Sequence, residues 1–219
     1  IINFNFIHNN IYNYQIKKII YIYNMKSIFI LILSLLITFL LSHFTNLEPT
    51  VNYSDKFEYI PIITANIYAD LLIVFMTFSL LIYNSKTLTE WYKKYRLSAM
   101  IADILIGVLY ILLARYLVYK SKIKPSLFQF ALIAVGVQLI LDYIFYLFFT
   151  ITPLGSNHML DFFKRYAKDV GYNALLGDSI LVLFAVVLSA FLNTQSYDVN
   201  MISLILSIYL APYIIYMKN

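Results

Sequence analysis

The feature that most constrains the fold of this chain is an apolar segment at residues 98–118, which carries Asp103 near one end and Arg115 near the other. As a helix rising 1.5 Å per residue, it is about 31 Å long, close to the thickness of a bilayer hydrocarbon core. Three other apolar segments also contain an aspartate: Asp70, Asp142 and Asp178. The sequence therefore predicts a helical membrane bundle arranged around buried charges.

Composition supports a lipid environment. Of the 219 residues, 62% are hydrophobic and only 12% are charged, whereas soluble domains carry roughly a quarter charged residues. The net charge of +5 comes mostly from Lys and Arg in short loops beside apolar segments, which is typical of membrane topology signals rather than of a nucleic-acid surface. The expected partner is the lipid bilayer, and no nucleic acid is expected. The absence of cysteine excludes disulfides and thiolate metal sites.

Hydropathy predicts an all-α fold, a polytopic bundle of five to six transmembrane helices plus one interfacial amphipathic helix. Residues 25–43 form a signal anchor or a signal peptide, and 44–60 form an extracytoplasmic loop. The helical transmembrane domain covers 61–219, with spans at about 61–83, 98–118, 126–151, 175–192 and 201–216.

Residues 1–24 consist almost entirely of residues whose codons can be all A and T. We expect a non-native extension translated from upstream sequence, with Met25 as the start; the alternative is a genuine disordered tail.

Two segments beside the spans carry both charges and aromatic rings. Apolar residues recur at helical spacing through 156–170, which predicts a helix lying in the membrane surface and capped by Ser156 or Asn157. Trp91 and Tyr92, next to several lysines, are interpreted as part of an interfacial aromatic belt.

The distribution of Lys and Arg predicts that both termini lie inside, in the cytoplasm. Without residues 1–24, nine basic residues fall on the inner side and four on the outer side. The outer four are Lys56, Lys120, Lys122 and Lys124.

The charges within the spans need partners, because an ionisable group at mid-membrane costs about 2.5–3.5 kcal/mol on insertion scales. Asp70 and Arg115 both fall towards the outer side of adjacent spans, so we predict that they form an ion pair.

The remaining acidic groups fall towards the inner side. Asp103, Gln138, Asp142 and Asp178 are predicted to form one intramembrane polar cluster, with Arg165, Lys168 or His158 as counter-charges. Gly107, on the face of Asp103, would let a neighbouring helix approach closely. The cluster either joins helices or carries protons or cations, and Asp103 and Asp178 could alternatively reach interfacial water.

Signatures of catalysis are missing from the sequence: it has no metalloprotease, P-loop, dinucleotide or nucleophile-elbow motif. We therefore expect no enzyme activity, no catalytic residue, no cofactor and no metal. Asn52 begins an Asn-Tyr-Ser sequon, a possible glycosylation site if the loop enters a secretory lumen.

The segment WYKKYRLSAMIADILIGVLYILLARYL resembles uncharacterised multi-pass proteins of nucleocytoplasmic large DNA viruses. The resemblance rests on the tryptophan-tyrosine-basic start, the Ser98-Ala99 pair and Asp103. It implies a viral or host-derived membrane, with other membrane or capsid proteins as partners, and no activity. The first functional hypothesis is a non-enzymatic structural membrane protein; the alternative is a small proton- or cation-coupled transporter or channel.

Overall fold

A computed structural model describes residues 25–79 and 86–217 of the chain. Eight α-helices lie in these ranges: α1 Met25–Phe44, α2 Tyr59–Phe78, α3 Lys86–Tyr95, α4 Leu97–Ser121, α5 Leu127–Ile151, α6 His158–Val170, α7 Asn173–Asn193 and α8 Tyr197–Ile215. The predicted extension at 1–24 lies outside the described residues.

Six of these helices, all except α3 and α6, are long and apolar enough to span a membrane. The all-α class is thus confirmed, and the helix boundaries agree with the predicted spans within a few residues, with one exception. α2 ends at Phe78 rather than near residue 83, and Ser79 caps its end through its backbone N–H. This earlier end changes the depth of Asp70, as described below.

Two short amphipathic helices, rather than the single one predicted, lie at the same end of the bundle. α6 begins where predicted, and the Asn157 side chain accepts hydrogen bonds from the first N–H groups of the helix. α3 was not predicted, and it joins the end of α2 to the start of α4. We call this end, formed by α3 and α6, the surface-helix end. The opposite end, formed by residues 45–58, 122–126 and 194–196, is the loop end.

The spanning helices pack around α2, which contacts α4, α7 and α8, while α5 packs against α4 and α7. Alanines such as Ala114, Ala131 and Ala134 are fully buried between them, which brings helix backbones close together. α1 lies against the start of α5, where the Ser42 hydroxyl accepts a hydrogen bond of 3.1 Å from the Phe128 N–H.

The outward faces of the spanning helices are apolar and exposed. On α5 and α8 they carry large side chains such as Ile140, Ile144, Ile202 and Ile205. An apolar surface of this extent is what lipid contact requires.

Gly107 provides the close approach between α2 and α4 that the sequence predicted. A Cβ atom added there would lie 2.4 Å from Oδ1 of Asn66, a side chain that donates a 2.8 Å hydrogen bond to the Ile62 carbonyl. We expect Gly107→Ala to lower the free energy of unfolding by about 1–3 kcal/mol, because this buried amide has to move. Thermal unfolding in detergent measures the effect.

Gly136 on α5 is the matched control, since a Cβ atom there would meet nothing within 4 Å. We expect Gly136→Ala to be neutral or to stabilise the helix by up to about 1 kcal/mol. Equal destabilisation by the two substitutions would contradict the close approach.

Candidate acidic cavity

A cavity of about 590 Å³ lies in the half of the bundle next to the surface-helix end. Its walls are parts of α2, α4, α5 and α7, and residues of α3 and α6 complete the lining. The chain folds this way locally because α3 and α6 bury aromatic rings against each other: the Trp91 and Phe162 ring centroids are 5.2 Å apart. The two surface helices therefore cover one side of this cavity.

Four aspartates from four spanning helices line this cavity: Asp70 of α2, Asp103 of α4, Asp142 of α5 and Asp178 of α7. Three of them belong to the polar cluster that the sequence predicts, and the structure brings them together. Gln138, the remaining member, is buried behind the wall and hydrogen-bonded to Asp142. Asp103, Asp142 and Asp178 stay partly accessible, whereas Asp70 is buried.

Asp142 is held by donors from two helices. It accepts hydrogen bonds from the Tyr110 hydroxyl of α4 and from the side-chain amide of Gln138, one turn earlier on α5. The Gln138 carbonyl oxygen in turn accepts a 2.8 Å hydrogen bond from Ser179 of α7. This network connects α4, α5 and α7 through polar groups that lipid cannot satisfy.

α3 supplies the donors for the other two carboxylates. Trp91 Nε1 donates to Asp103 Oδ2 at 3.0 Å, and the Tyr92 hydroxyl donates to Asp70 Oδ1 at 3.2 Å. Burial and the neighbouring carboxylates raise the pKa of Tyr92 well above its usual range, so its hydroxyl stays protonated and remains a donor. The interpretation of Trp91 and Tyr92 as an interfacial belt is therefore wrong, because both side chains are buried.

Two of the carboxylates keep oxygen atoms without protein donors. Among the residues that the structure describes, no donor reaches the buried Oδ2 of Asp70, and none donates a hydrogen bond to the side chain of Asp178. Asp178 also lies close enough to Asp142 and Asp103 for their charges to interact. Protein contacts therefore account for the positions of Asp103 and Asp142 but not for that of Asp178.

The part of the chain that the structure describes contributes no Lys, Arg or His to the cavity wall. Arg165, one of the predicted counter-charges, instead pairs with Glu90 at 2.9 Å on the exposed surface. Neither Lys168 nor His158 lies on the wall. Four acidic groups thus share one cavity whose described lining provides no cation.

The predicted ion pair between Asp70 and Arg115 is wrong. Asp70 is the twelfth of the 20 residues of α2, so the shorter helix places it past the midpoint, towards the surface-helix end. Arg115 lies near the loop end, where its Nη2 donates to Glu58 Oε2 at 2.8 Å. The side chains of Arg115 and Glu58 are only 1% and 7% exposed.

The carbonyls of the loop before α2 complete this second charged site. Arg115 Nη2 also donates to the Asn52 carbonyl at 2.6 Å, and the guanidinium lies 5.0 Å from the Tyr59 ring centroid. Burial raises the pKa of Glu58, and the Arg115 charge opposes part of this rise. The Asn52 side chain itself is exposed, and its glycosylation stays a prediction.

Sequence reasoning missed the contribution of α3 to the site, although a signal was present. Leu88, Trp91, Tyr92 and Tyr95 follow the i, i+3, i+4, i+7 spacing of a helix with one apolar face. If this apolar face had been assigned to the protein core, the sequence would have predicted that Trp91 and Tyr92 are buried hydrogen-bond donors next to the start of α4.

Within the described residues, no three His, Cys, Asp or Glu side chains are grouped so that they could hold a metal ion. Comparison with protein-family models, with curated proteins and with solved structures gives no match for this chain. Its function has to be inferred from the cavity.

Proposed function

We propose that this chain is a small multi-pass membrane protein that transports a cation through the acidic cavity, coupled to protons or to a second cation. The observation that supports the proposal is the meeting of four aspartates in a cavity whose described wall contains no basic side chain. Ionisable groups within a membrane are costly, and they are typical of ion and substrate pathways.

Coupling follows from the chemistry of such a site. The negative charge of the carboxylates is neutralised either by bound protons or by a bound cation, so the two kinds of ligand compete for one cavity. Asp178 is the group best suited to this exchange, because it is partly accessible and accepts no hydrogen bond from the described residues.

The proposal includes a membrane topology and a protein without enzyme activity. The excess of lysine and arginine beside α3 and α6 supports a cytoplasmic location for the surface-helix end and for both termini. In this proposal the protein is not an enzyme, and the lipid bilayer is its surrounding partner.

The experiment is a flux measurement on the full chain in liposomes. With a potassium gradient and valinomycin setting the membrane potential, a pH-sensitive dye reports proton entry. We expect protons to enter liposomes that contain the native chain in response to the membrane potential. Asp178→Asn should reduce the rate of proton entry by at least about tenfold, since the amide can no longer bind and release a proton. Asp198→Asn, at an exposed position on α8, is the control and should retain the rate. A native chain that conducts neither protons nor a cation, whether alkali or organic, contradicts the proposal.

A structural role, as a component of a viral or host-derived membrane, is the second candidate. The observation that favours it is the set of hydrogen bonds by which Asp103 and Asp142 join α3, α4 and α5. Two matched substitutions separate the candidates. Asp142→Asn replaces by an NH2 group one of the two carboxylate oxygens that accept hydrogen bonds from Tyr110 and Gln138. It should lower the free energy of unfolding by about 1–3 kcal/mol, whereas Asp178→Asn should leave stability unchanged or raise it. If the native chain shows no flux and Asp142→Asn destabilises it, the structural role is favoured.

A further inference from the structure

We infer that the cation bound in this cavity is a bulky organic ion with a diffuse positive charge, such as a quaternary ammonium, rather than a metal ion. This inference rests on the proposed function and specifies its substrate class.

The size and the donor arrangement of the cavity argue against a metal ion. A volume of about 590 Å³ falls in the range of sites for small organic molecules, about 300–1,000 Å³. A Ca²⁺ or Mg²⁺ ion needs several oxygen ligands converging at about 2–2.6 Å. No group of three acidic or histidine side chains with suitable geometry exists among the described residues. The four carboxylates therefore line a cavity and do not converge on the position of one metal ion.

The wall supplies the aromatic surface that organic cations prefer. Eight of the described lining residues are aromatic, and several of their rings contact one another in a continuous cluster. The Trp91 ring centroid lies 5.2 Å from that of Phe162 and 4.9 Å from that of Phe163, which in turn is 5.1 Å from Phe145. The face of an aromatic ring attracts ammonium groups, most strongly when water is excluded.

The unpartnered carboxylate oxygens fit the same kind of ligand. Within the described part of the chain, neither the buried Oδ2 of Asp70 nor the side chain of Asp178, which lines the cavity, has a hydrogen-bond donor. A quaternary ammonium has no N–H group, so it neutralises such carboxylates through its charge alone and needs no directed hydrogen bond. An anion is disfavoured, because the described wall carries no Lys, Arg or His.

The exposed residues of the wall indicate how such a ligand enters. Among the described lining residues, those with exposed side chains belong to α4 and α5, for example Ile106, Ile144 and Phe148. Ile144 and Phe148 are 54% and 52% exposed. An opening between two spanning helices faces the lipid, and a cation with apolar substituents partitions there.

The same ammonium chemistry occurs in free organic cations and in choline headgroups of lipids. A phospholipid headgroup would also bring a phosphate next to four carboxylates, with no basic residue on the described wall to neutralise it. The free lipophilic cation is therefore the expected ligand, and the two sources can be tested separately.

The chain contains a single tryptophan, and it lines the cavity, so the intrinsic fluorescence of Trp91 reports binding at this site. The full chain in a maltoside detergent is titrated with tetraphenylphosphonium and, separately, with tetraphenylborate, an anion of the same shape. We expect a saturable change in Trp91 emission with the cation only. No saturable change with tetraphenylphosphonium, or an equal response to both ions, would overturn the inference.

Two variants and one lipid comparison complete the test. Asp178→Asn should weaken tetraphenylphosphonium binding by about tenfold through loss of one counter-charge, and Asp198→Asn should leave it unchanged.

In nanodiscs, phosphatidylcholine should compete no better than phosphatidylglycerol; strong competition by phosphatidylcholine alone would assign the site to a lipid headgroup and overturn the free-cation assignment. Binding without flux would contradict only the proposed transport, whereas proton flux without tetraphenylphosphonium binding would contradict only the inferred substrate class.

Discussion

Glu58→Gln is expected to lower the free energy of unfolding by about 3–5 kcal/mol, the usual cost of removing one partner of a buried ion pair. Arg115 is only 1% exposed, and its Nη2 lies 2.8 Å from Glu58 Oε2. The Asn52 carbonyl, 2.6 Å from the same nitrogen, accepts a hydrogen bond from the guanidinium but cannot neutralise its charge. The substitution therefore leaves a cation uncompensated in a poorly hydrated environment. Thermal unfolding and steric trapping in detergent or bicelles measure the loss.

Glu90→Gln is the matched control for this prediction. The Glu90–Arg165 pair has a similar N–O distance, 2.9 Å, but its side chains are 43% and 56% exposed. Exposed ion pairs contribute about 0–1 kcal/mol, so the control should change stability little. Replacing both Glu58 and Arg115 by methionine should cost less than Glu58→Gln, because no buried charge remains. Equal losses for Glu58→Gln and Glu90→Gln would show that the buried pair is not a source of stability.

The spanning helices could be predicted from the sequence because lipid imposes one strong rule. A backbone in hydrocarbon must satisfy its own hydrogen bonds, so long apolar segments become helices. The pattern also predicted that Asp142 and Gln138 belong to one polar cluster, and the two are neighbours because residues four apart lie on one face of a helix. The cap of α6 followed from local chemistry in the same way, since Asn157 is one of the two residues predicted for it.

Pairing between distant segments could not be predicted, because it depends on depth and on helix rotation. The error over Asp70 arose from placing the end of α2 about one turn too late, which moved this carboxylate to the other half of the membrane. The error over Trp91 arose because an aromatic ring beside lysines is equally typical of a lipid interface and of a buried amphipathic helix. Both errors concern the cavity, whose lining comes from six different helices.

The other large effect is expected at Trp91, which links the surface helices to the acidic cavity. Its ring packs against Phe162 and Phe163 of α6, and its Nε1 donates to Asp103. Trp91→Ala removes all of these contacts, and large-to-small substitutions of buried aromatic residues cost about 3–5 kcal/mol. We expect α3 and α6 to detach from the spanning helices, with a loss of amide-exchange protection in both. Hydrogen exchange followed by mass spectrometry measures this loss.

Trp91→Phe separates packing from hydrogen bonding at the same position. A phenyl ring keeps most of the contact with Phe162 and Phe163 but has no N–H to donate, which leaves one Asp103 oxygen without its partner. We expect Trp91→Phe to lower the free energy of unfolding by about 1–3 kcal/mol, with the amides of α3 and α6 still protected from hydrogen exchange. α1 contributes no residue to the cavity wall and packs against the start of α5, so its protection should be the same in both variants. If Trp91→Ala left α6 as protected as in the native chain, the surface helices would be held by other contacts, and the covering of the cavity would not depend on this ring.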